Sequence, residues 1–270
     1  MSKVAKRIAD IKSQQIGITR KRALIVEGKD DVGAFEAFLR KRNPTWDQQW
    51  VVAGAGAKAR VTDILREEPT WVGVVDRDEW TEAEVALARR TYSNLFVLPR
   101  FCVESYLIDP AEIWAALPAI QSDRFSGGEA QLRQAIEAHL GNWKRHAALW
   151  HVIHPIYRHM RSSDHRDSLL DPRDVPDDAI LRDVMSAWLN KFDAARISQE
   201  VNAKVLGYDQ MPLTELYRHH LYAKKFYPMV VHDVLNQVLG QAAEEVLWQK
   251  LLLTMPLPDD LDSLWVKMAL

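Results

Sequence analysis

Ala23-Leu-Ile-Val26-Glu27-Gly28-Lys-Asp30-Asp31 decides the fold: a short apolar run that stops abruptly at acidic and glycine residues. A run this short, bounded by turn residues, reads as a strand buried on both faces. Val32, Phe35 and Leu39 then recur at helical spacing. The same alternation repeats outward along the chain. Val51-Val-Ala53 runs into Gly54-Ala-Gly56 and is followed by Val61, Ile64 and Leu65 at helical spacing. Trp71-Val-Gly-Val-Val75 runs into Asp76 and precedes a helical stretch from Val85 to Arg89, and Leu95-Phe-Val-Leu98 closes the series before Pro99. Four strands alternating with three helices predict an α/β fold: a mainly parallel four-stranded sheet with helices on both faces.

After Asp109-Pro110 the rhythm changes. Ala130 to Leu140, Ala179 to Leu189 and Val230 to Leu253 have helical spacing without strand-like alternation. Asp171-Pro172 to Pro176-Asp-Asp178 reads as a loop ending in a helix N-cap. The expected organisation is a basic amphipathic helix within residues 1–21, an α/β domain over 22–108, and an all-helical extension over 109–270.

The chain has 270 residues, of which 47% are hydrophobic and 27% charged. That is an ordinary globular composition. With 35 basic and 37 acidic residues the formal net charge is -2, so any nucleic-acid binding must come from local patches. One cysteine, Cys102, excludes an internal disulfide and a cysteine-rich zinc cluster. No run of about 18 apolar residues occurs, and Met1 to Gln15 has no apolar core of a signal peptide. A cytoplasmic protein without membrane attachment is expected.

In open parallel sheets, ligands bind beyond the carboxyl ends of the strands. The acids sit there. Glu27 follows the first strand, with Asp30 and Asp31 in the next turn; Asp76 and Asp78 follow the third; Glu104 lies just past the fourth. Converging carboxylates raise one another's pKa values unless a cation fills the space between them. Hard oxygen donors suit Mg²⁺ or Mn²⁺, and such an ion on phosphate is phosphoryl-transfer chemistry. The competing reading is that these acids are solvated loop residues capping helices, as Asp30 would for the helix starting near Val32.

Val26-Glu27-Gly28 after one strand and Val75-Asp76-Arg77-Asp78 after a later one resemble the toprim domain of topoisomerases, bacterial primases and overcoming-lysogenization-defect nucleases. The resemblance covers about residues 22–108. It implies Mg²⁺ held by the glutamate and the Asp-x-Asp pair, with Gly54-Ala-Gly56 and Lys58 matching the glycine turn after the second strand. Arg100-Phe-Cys-Val-Glu104-Ser-Tyr-Leu-Ile-Asp109-Pro110 is similar to the stretch found in toprim proteins encoded beside ABC-type ATPases, including the nuclease subunit of the PARIS anti-phage system. In those nucleases a further glutamate, here Glu104, completes a second metal position, and an acid matching Asp31 assists. A late lysine stabilises developing charge; within Tyr222-Ala-Lys224-Lys225-Phe-Tyr-Pro-Met229 it maps best onto Lys225 and next onto Lys224.

The resemblance implies a metal-dependent endonuclease acting on DNA or tRNA as the toxic effector of abortive infection. No G-x-x-x-x-G-K-[ST] motif occurs, so an ATPase would be a separate partner encoded nearby. A second copy of the chain is expected in the active state. The rival readings are a topoisomerase- or primase-like activity, and a non-catalytic subunit whose acidic crevice docks a basic partner. His146, His151, His154, His159 and His165 crowd one segment, but Pro155 is expected to interrupt the helix that would align them on a metal. The ten tryptophans read as core residues, and Lys41-Arg42 as complements to a helix dipole.

Overall fold

The computed structural model of the chain describes residues 2–161 and 178–270. His165 and the loop expected from Asp171 to Pro176 lie outside these residues. Two compact units emerge, one of Met1–Ala138 with Tyr217–Leu270 and one of His139–Leu216. The units therefore part inside the helical half of the chain and not at Asp109.

The first unit is built on four strands, β1 (Arg22–Val26), β2 (Trp50–Gly54), β3 (Val72–Val75) and β4 (Leu95–Val97). They form one sheet in the order β2-β1-β3-β4, with every pairing parallel. Helices α2 (Lys29–Arg42), α3 (Lys58–Glu67) and α4 (Glu82–Thr91) connect them in turn. Every residue of β3 and β4 is buried, as the short apolar runs require.

Alternation along the strands divides the core into two layers. Ala23, Ile25, Ala53, Val75, Leu95 and Val97 pack with Val61, Ile64 and Leu65 of α3 and with Val85 of α4. Ile8 and Ile11 of α1 (Lys3–Ile11) join this layer, and burying each stabilises the fold by about 1.5–3 kcal/mol. The other face is covered by α2, whose Phe38 meets Tyr106 edge-on with ring centroids 5.6 Å apart. The helix Glu244–Thr254 packs on α2 in turn. The ammonium of Lys41 donates to the carbonyls of Leu252 and Met255 there, so it complements the end of a neighbouring helix.

At the amino end, the Ser2 hydroxyl accepts from the Ala5 N–H at 3.0 Å and caps α1. Arg7 reaches across to the Gly54 carbonyl with two donors, at 2.9 and 2.6 Å, and so ties α1 to the end of β2.

In the second unit the helix Leu140–Arg161 packs on Ala194–Asp209, with Lys144 and Asp209 paired at 2.7 Å. Pro155 does not break that helix, contrary to the expectation from sequence. A proline removes one hydrogen bond, and a long helix with packed neighbours tolerates that loss. His146 and His154 rest against Trp143 and Trp150, with ring centroids 5.3 and 5.6 Å apart. No helix among the described residues is long and apolar enough to cross a membrane.

Candidate metal centre

All four strands run the same way, so their carboxyl ends share one edge, and the acids leaving those ends converge. Glu27, Asp76 and Asp78 each offer an oxygen within 4.8 Å of the others. They are the one group of metal-capable side chains found among the described residues.

The backbone fixes this arrangement. Glu27 Oε1 accepts from the Asp76 N–H at 2.8 Å, which ties the first strand end to the third. Asp76 is 3% exposed, and its Oδ1 accepts from the Val103 N–H at 3.3 Å. Asp78 adopts φ +48°, a left-handed conformation that aspartate tolerates better than most residues, and its N–H donates to the Phe101 carbonyl at 2.7 Å. Arg77 turns away to Glu82 at 2.7 Å. Strain of this kind gathers at functional sites when the surrounding structure holds it.

Two ammonium groups stand among the oxygens. Lys58, the first residue of α3, lies 2.7 Å from Asp78 Oδ2 and 3.8 Å from Glu27 Oε1. It also donates to the Asp76 carbonyl at 2.6 Å and sits 4.5 Å over the Trp80 ring. Lys224, on the one-turn helix Ala223–Phe226, lies 2.6 Å from Asp76 Oδ2 and 3.4 Å from Asp78 Oδ1.

The preference for Lys225 over Lys224 is thereby corrected. Neighbouring helical residues point about 100° apart, so only one of the pair can face the acids. Lys225 is the exposed one.

The remaining acids stand apart from the triad. Asp31 Oδ2 accepts from the Gly28 N–H at 2.7 Å, so this residue, and not Asp30, closes the start of α2. Glu104 lies on the short 3₁₀ turn Val103–Leu107, and its Oε2 is buried with no hydrogen-bond partner. Neither belongs to the group of close oxygens. Of the expected ligands Glu27, Asp31, Asp76, Asp78 and Glu104, the structure brings Glu27, Asp76 and Asp78 into one close group, with Asp31 and Glu104 outside it.

Burial lifts the carboxyls of Glu27, Asp31 and Glu104 above their ordinary range. It lifts Asp76 furthest, and the Lys224 ammonium pulls against that rise. Burial alone would lower Lys224, but Asp76 and Asp78 outweigh it and hold the ammonium charged. Three carboxyl groups face two ammonium groups there, one more acid than base. Crowded hard oxygens, raised carboxyl pKa values and a neighbouring orphan oxygen all fit a divalent cation such as Mg²⁺ or Mn²⁺. The lysine nitrogens mark where positive charge is already accommodated.

The loop that carries Glu104 is anchored by a second polar cluster. Arg100, 3% exposed, donates to Glu112 at 2.5 and 3.0 Å, to Asp260 at 2.8 Å and to the Ser105 carbonyl at 3.2 Å. Its guanidinium lies 4.0 Å over the Tyr106 ring, and the Tyr106 hydroxyl donates to Asp260 at 3.0 Å. Arg218 completes the cluster on Glu112 at 2.8 Å.

Sequence reasoning saw Lys58 only as part of a glycine turn and missed its pairing with Asp78 and its place over Trp80. The available signal was its position at the start of a helix beyond a strand end, where a cation meets the acids of neighbouring strands. No family model matches the chain, and no curated protein matches it.

Proposed function

We propose that the chain is a divalent-metal-dependent nuclease that hydrolyses phosphodiesters in DNA or tRNA, with Glu27, Asp76 and Asp78 holding the ion. The observation that carries this reading is the close triad of carboxylate oxygens at the carboxyl edge of a parallel sheet. A Mg²⁺ or Mn²⁺ ion bound there supplies a Lewis acid for a phosphate oxygen and a water of lowered pKa.

The chain's own groups do the rest. Lys224, held charged beside Asp76, offers its ammonium to the negative charge that builds on phosphate oxygens as the bond breaks. Lys58 bridges Asp78 and the Asp76 carbonyl and so ties the start of α3 to the loop that leaves β3. The hydrogen bond from the Asp76 N–H holds Glu27 Oε1 beside Asp76. The docking-crevice alternative is weakened because two lysines already neutralise most of the triad's charge.

The resemblance to toprim subunits encoded beside ABC-type ATPases extends the proposal. The nuclease is the toxic effector of an anti-phage system, restrained or released by a partner ATPase and active as a homodimer. The test is cleavage of labelled tRNA and DNA by the full chain across a Mg²⁺ and Mn²⁺ titration, with Glu27→Ala and Asp76→Ala beside wild type. Metal-dependent cleavage lost in both variants supports the assignment. Equal cleavage by all three proteins overturns it.

A further inference from the structure

The exit of β2 carries two arginines that no carboxylate neutralises. Arg7 of α1 donates twice to the Gly54 carbonyl, and Arg60 of α3 donates to the Ala55 carbonyl at 2.7 Å. Neither forms an ion pair among the described residues. The acids three residues on from each do not serve them: Asp63 is taken by Arg66 at 2.9 Å, and Asp10 pairs with neither arginine.

The local backbone sets the two guanidiniums side by side. The N–H groups of Ala55 and Gly56 both donate to the exit of β1, to the Val26 and Glu27 carbonyls at 2.7 Å each. A trans peptide points its carbonyl opposite to its N–H. The Gly54 and Ala55 carbonyls therefore both face away from β1, and because β2 is the outer strand they face the open edge of the sheet. Gly56 makes room there, since a side-chain carbon on it would come within 2.9 Å of Arg60 Nη1. The turn's own N–H groups are used, so they cannot hold an anion, but the side chains can. Arg7 commits two of its five N–H groups to the main chain and Arg60 one. Both arginines are half-buried while Gly56 and Ala57 are exposed, so this lip opens to solvent.

Forked donors held in place with no acid beside them suit a phosphate. The position of the lip says which phosphate. Lys58, two residues before Arg60, reaches from the same helix start to Asp78 and the Asp76 carbonyl, and Lys224 stands on Asp76. Only β1 separates β2 from β3, and neighbouring strands lie about 4.8 Å apart, so the lip stands on the order of 10 Å from the triad.

Resting on the nuclease reading, we infer that Arg7 and Arg60 hold a backbone phosphate of the substrate strand, a few nucleotides from the bond cut at the triad, with Lys58 spanning the interval. Such contacts fix where a strand lies and carry no sequence information. The substrate class follows: a polynucleotide that reaches the edge of the sheet, not a mononucleotide that fills the metal centre alone.

The test is fluorescence anisotropy of a short labelled single strand with a 5′-hydroxyl, titrated with the full chain in EDTA from low to high salt. Arg60→Gln should flatten the slope of log affinity against log salt by about 0.7, which is about fivefold in affinity for each tenfold change in salt. Arg7→Gln should flatten it by as much, and Arg60→Lys should restore it, because the charge returns. Arg89→Gln, an equal loss of charge on the exposed face of α4, should leave the slope at the wild-type value. RNA and DNA strands of any sequence should respond alike.

Wild-type slopes in both glutamine variants overturn the inference, and so does a wild-type chain that binds no strand at low salt. Weaker binding at the wild-type slope, with a lowered melting temperature in Arg60→Gln and Arg60→Lys alike, also overturns it, because the arginines then only brace the β2 loop. So does binding that requires a 5′-phosphorylated strand or is displaced by equimolar inorganic phosphate, because the lip then holds a terminal or free phosphate. Arg60→Gln removes a single hydrogen bond, so the outcome does not hang on the folding of Arg7→Gln. If the slopes change as expected but wild type cleaves nothing with Mg²⁺ or Mn²⁺, the lip stands and the nuclease reading falls. Metal-dependent cleavage with unchanged slopes leaves the nuclease reading and removes the lip.

Discussion

Two charged clusters in the same compact unit resolve opposite problems. Around Arg100, a planar guanidinium takes both Glu112 oxygens and one Asp260 oxygen, while Tyr106 fills the other. Burial would weaken that cation, but Glu112 and Asp260 outweigh burial and hold it charged. Around Asp76 the cations are lysines, point charges on flexible stems. They neutralise without saturating, and the carboxyls stay above their ordinary range because burial dominates. The first cluster is a rivet, and the second is a socket. Charge density alone does not separate them; the number of lone pairs left unclaimed does.

The comparison breaks most sharply at Asp76. Asp76→Ala should abolish metal-dependent cleavage while leaving the metal-free fold as stable as wild type or slightly more so, because a buried carboxyl with a raised pKa costs stability when ionised. Urea unfolding beside a cleavage assay checks both halves. A variant that unfolds readily would place Asp76 with the rivet.

Lys224→Ala comes next. If the ammonium serves the chemical step, single-turnover cleavage at saturating substrate should fall ~10²–10³-fold. Removing a cation that sits against Asp76 should at the same time tighten Mn²⁺ binding. A loss of affinity for substrate with an unchanged rate would reassign Lys224 to docking. Lys225→Ala, one residue on and exposed, should cleave at the wild-type rate.

Arg100→Ala should do the reverse of Asp76→Ala. It leaves Glu112 with Arg218 alone and Asp260 with the Tyr106 hydroxyl alone, and both partly reach solvent, so the expected loss is about 2–3 kcal/mol in urea unfolding. Folded protein at low temperature should keep the metal-dependent step.

The smallest effect is in pH. Glu27 and Asp76 have folded pKa values above the ordinary 4.5 and 3.8, so the folded chain binds more protons than the unfolded one in that window. Their contribution to stability is full below those ordinary values and is lost as pH rises through the folded ones. The stability difference between wild type and Asp76→Ala should therefore fall as pH climbs from about 4 towards neutrality. Saturating Mg²⁺ should flatten or reverse the trend, since the ion favours the ionised acids. A difference that rises with pH in metal-free buffer would mean Lys224 controls Asp76 more strongly than burial does.

What was legible in the sequence follows from periodicity and position. Apolar runs at 23–26, 51–53, 71–75 and 95–98, each short and bounded by turn residues, read as buried strands, and parallel strands put Glu27 and Asp76 on one edge without any knowledge of packing. What was hidden depends on rotation and tertiary fit. Lys224 and Lys225 differ only in the phase of a single helical turn, which no pattern fixes. Asp31 reads as a ligand from its position alone, and only tertiary fit shows that its Oδ2 also accepts from the Gly28 N–H and closes the start of α2. Asp76 directly follows the third strand, whereas Glu104 comes only after a loop past the fourth and sits on a 3₁₀ turn whose aim no pattern fixes. Pro155 looked like a break because local chemistry cannot count the helix's packed neighbours.

The meeting of the first two strand ends also writes a rule for descent. A side chain at Gly54 would bring its first carbon within 3.0 Å of the Gly28 carbonyl, in a loop already gripped by Arg7. Gly56, at φ +89°, has no comfortable replacement either. Gly141 and Gly207 lie in helices with open space around them. Lineages that keep this fold should hold the first pair fixed while the second drifts to alanine or serine, and a mutational library scored for survival of the folded chain would show the same asymmetry within one generation.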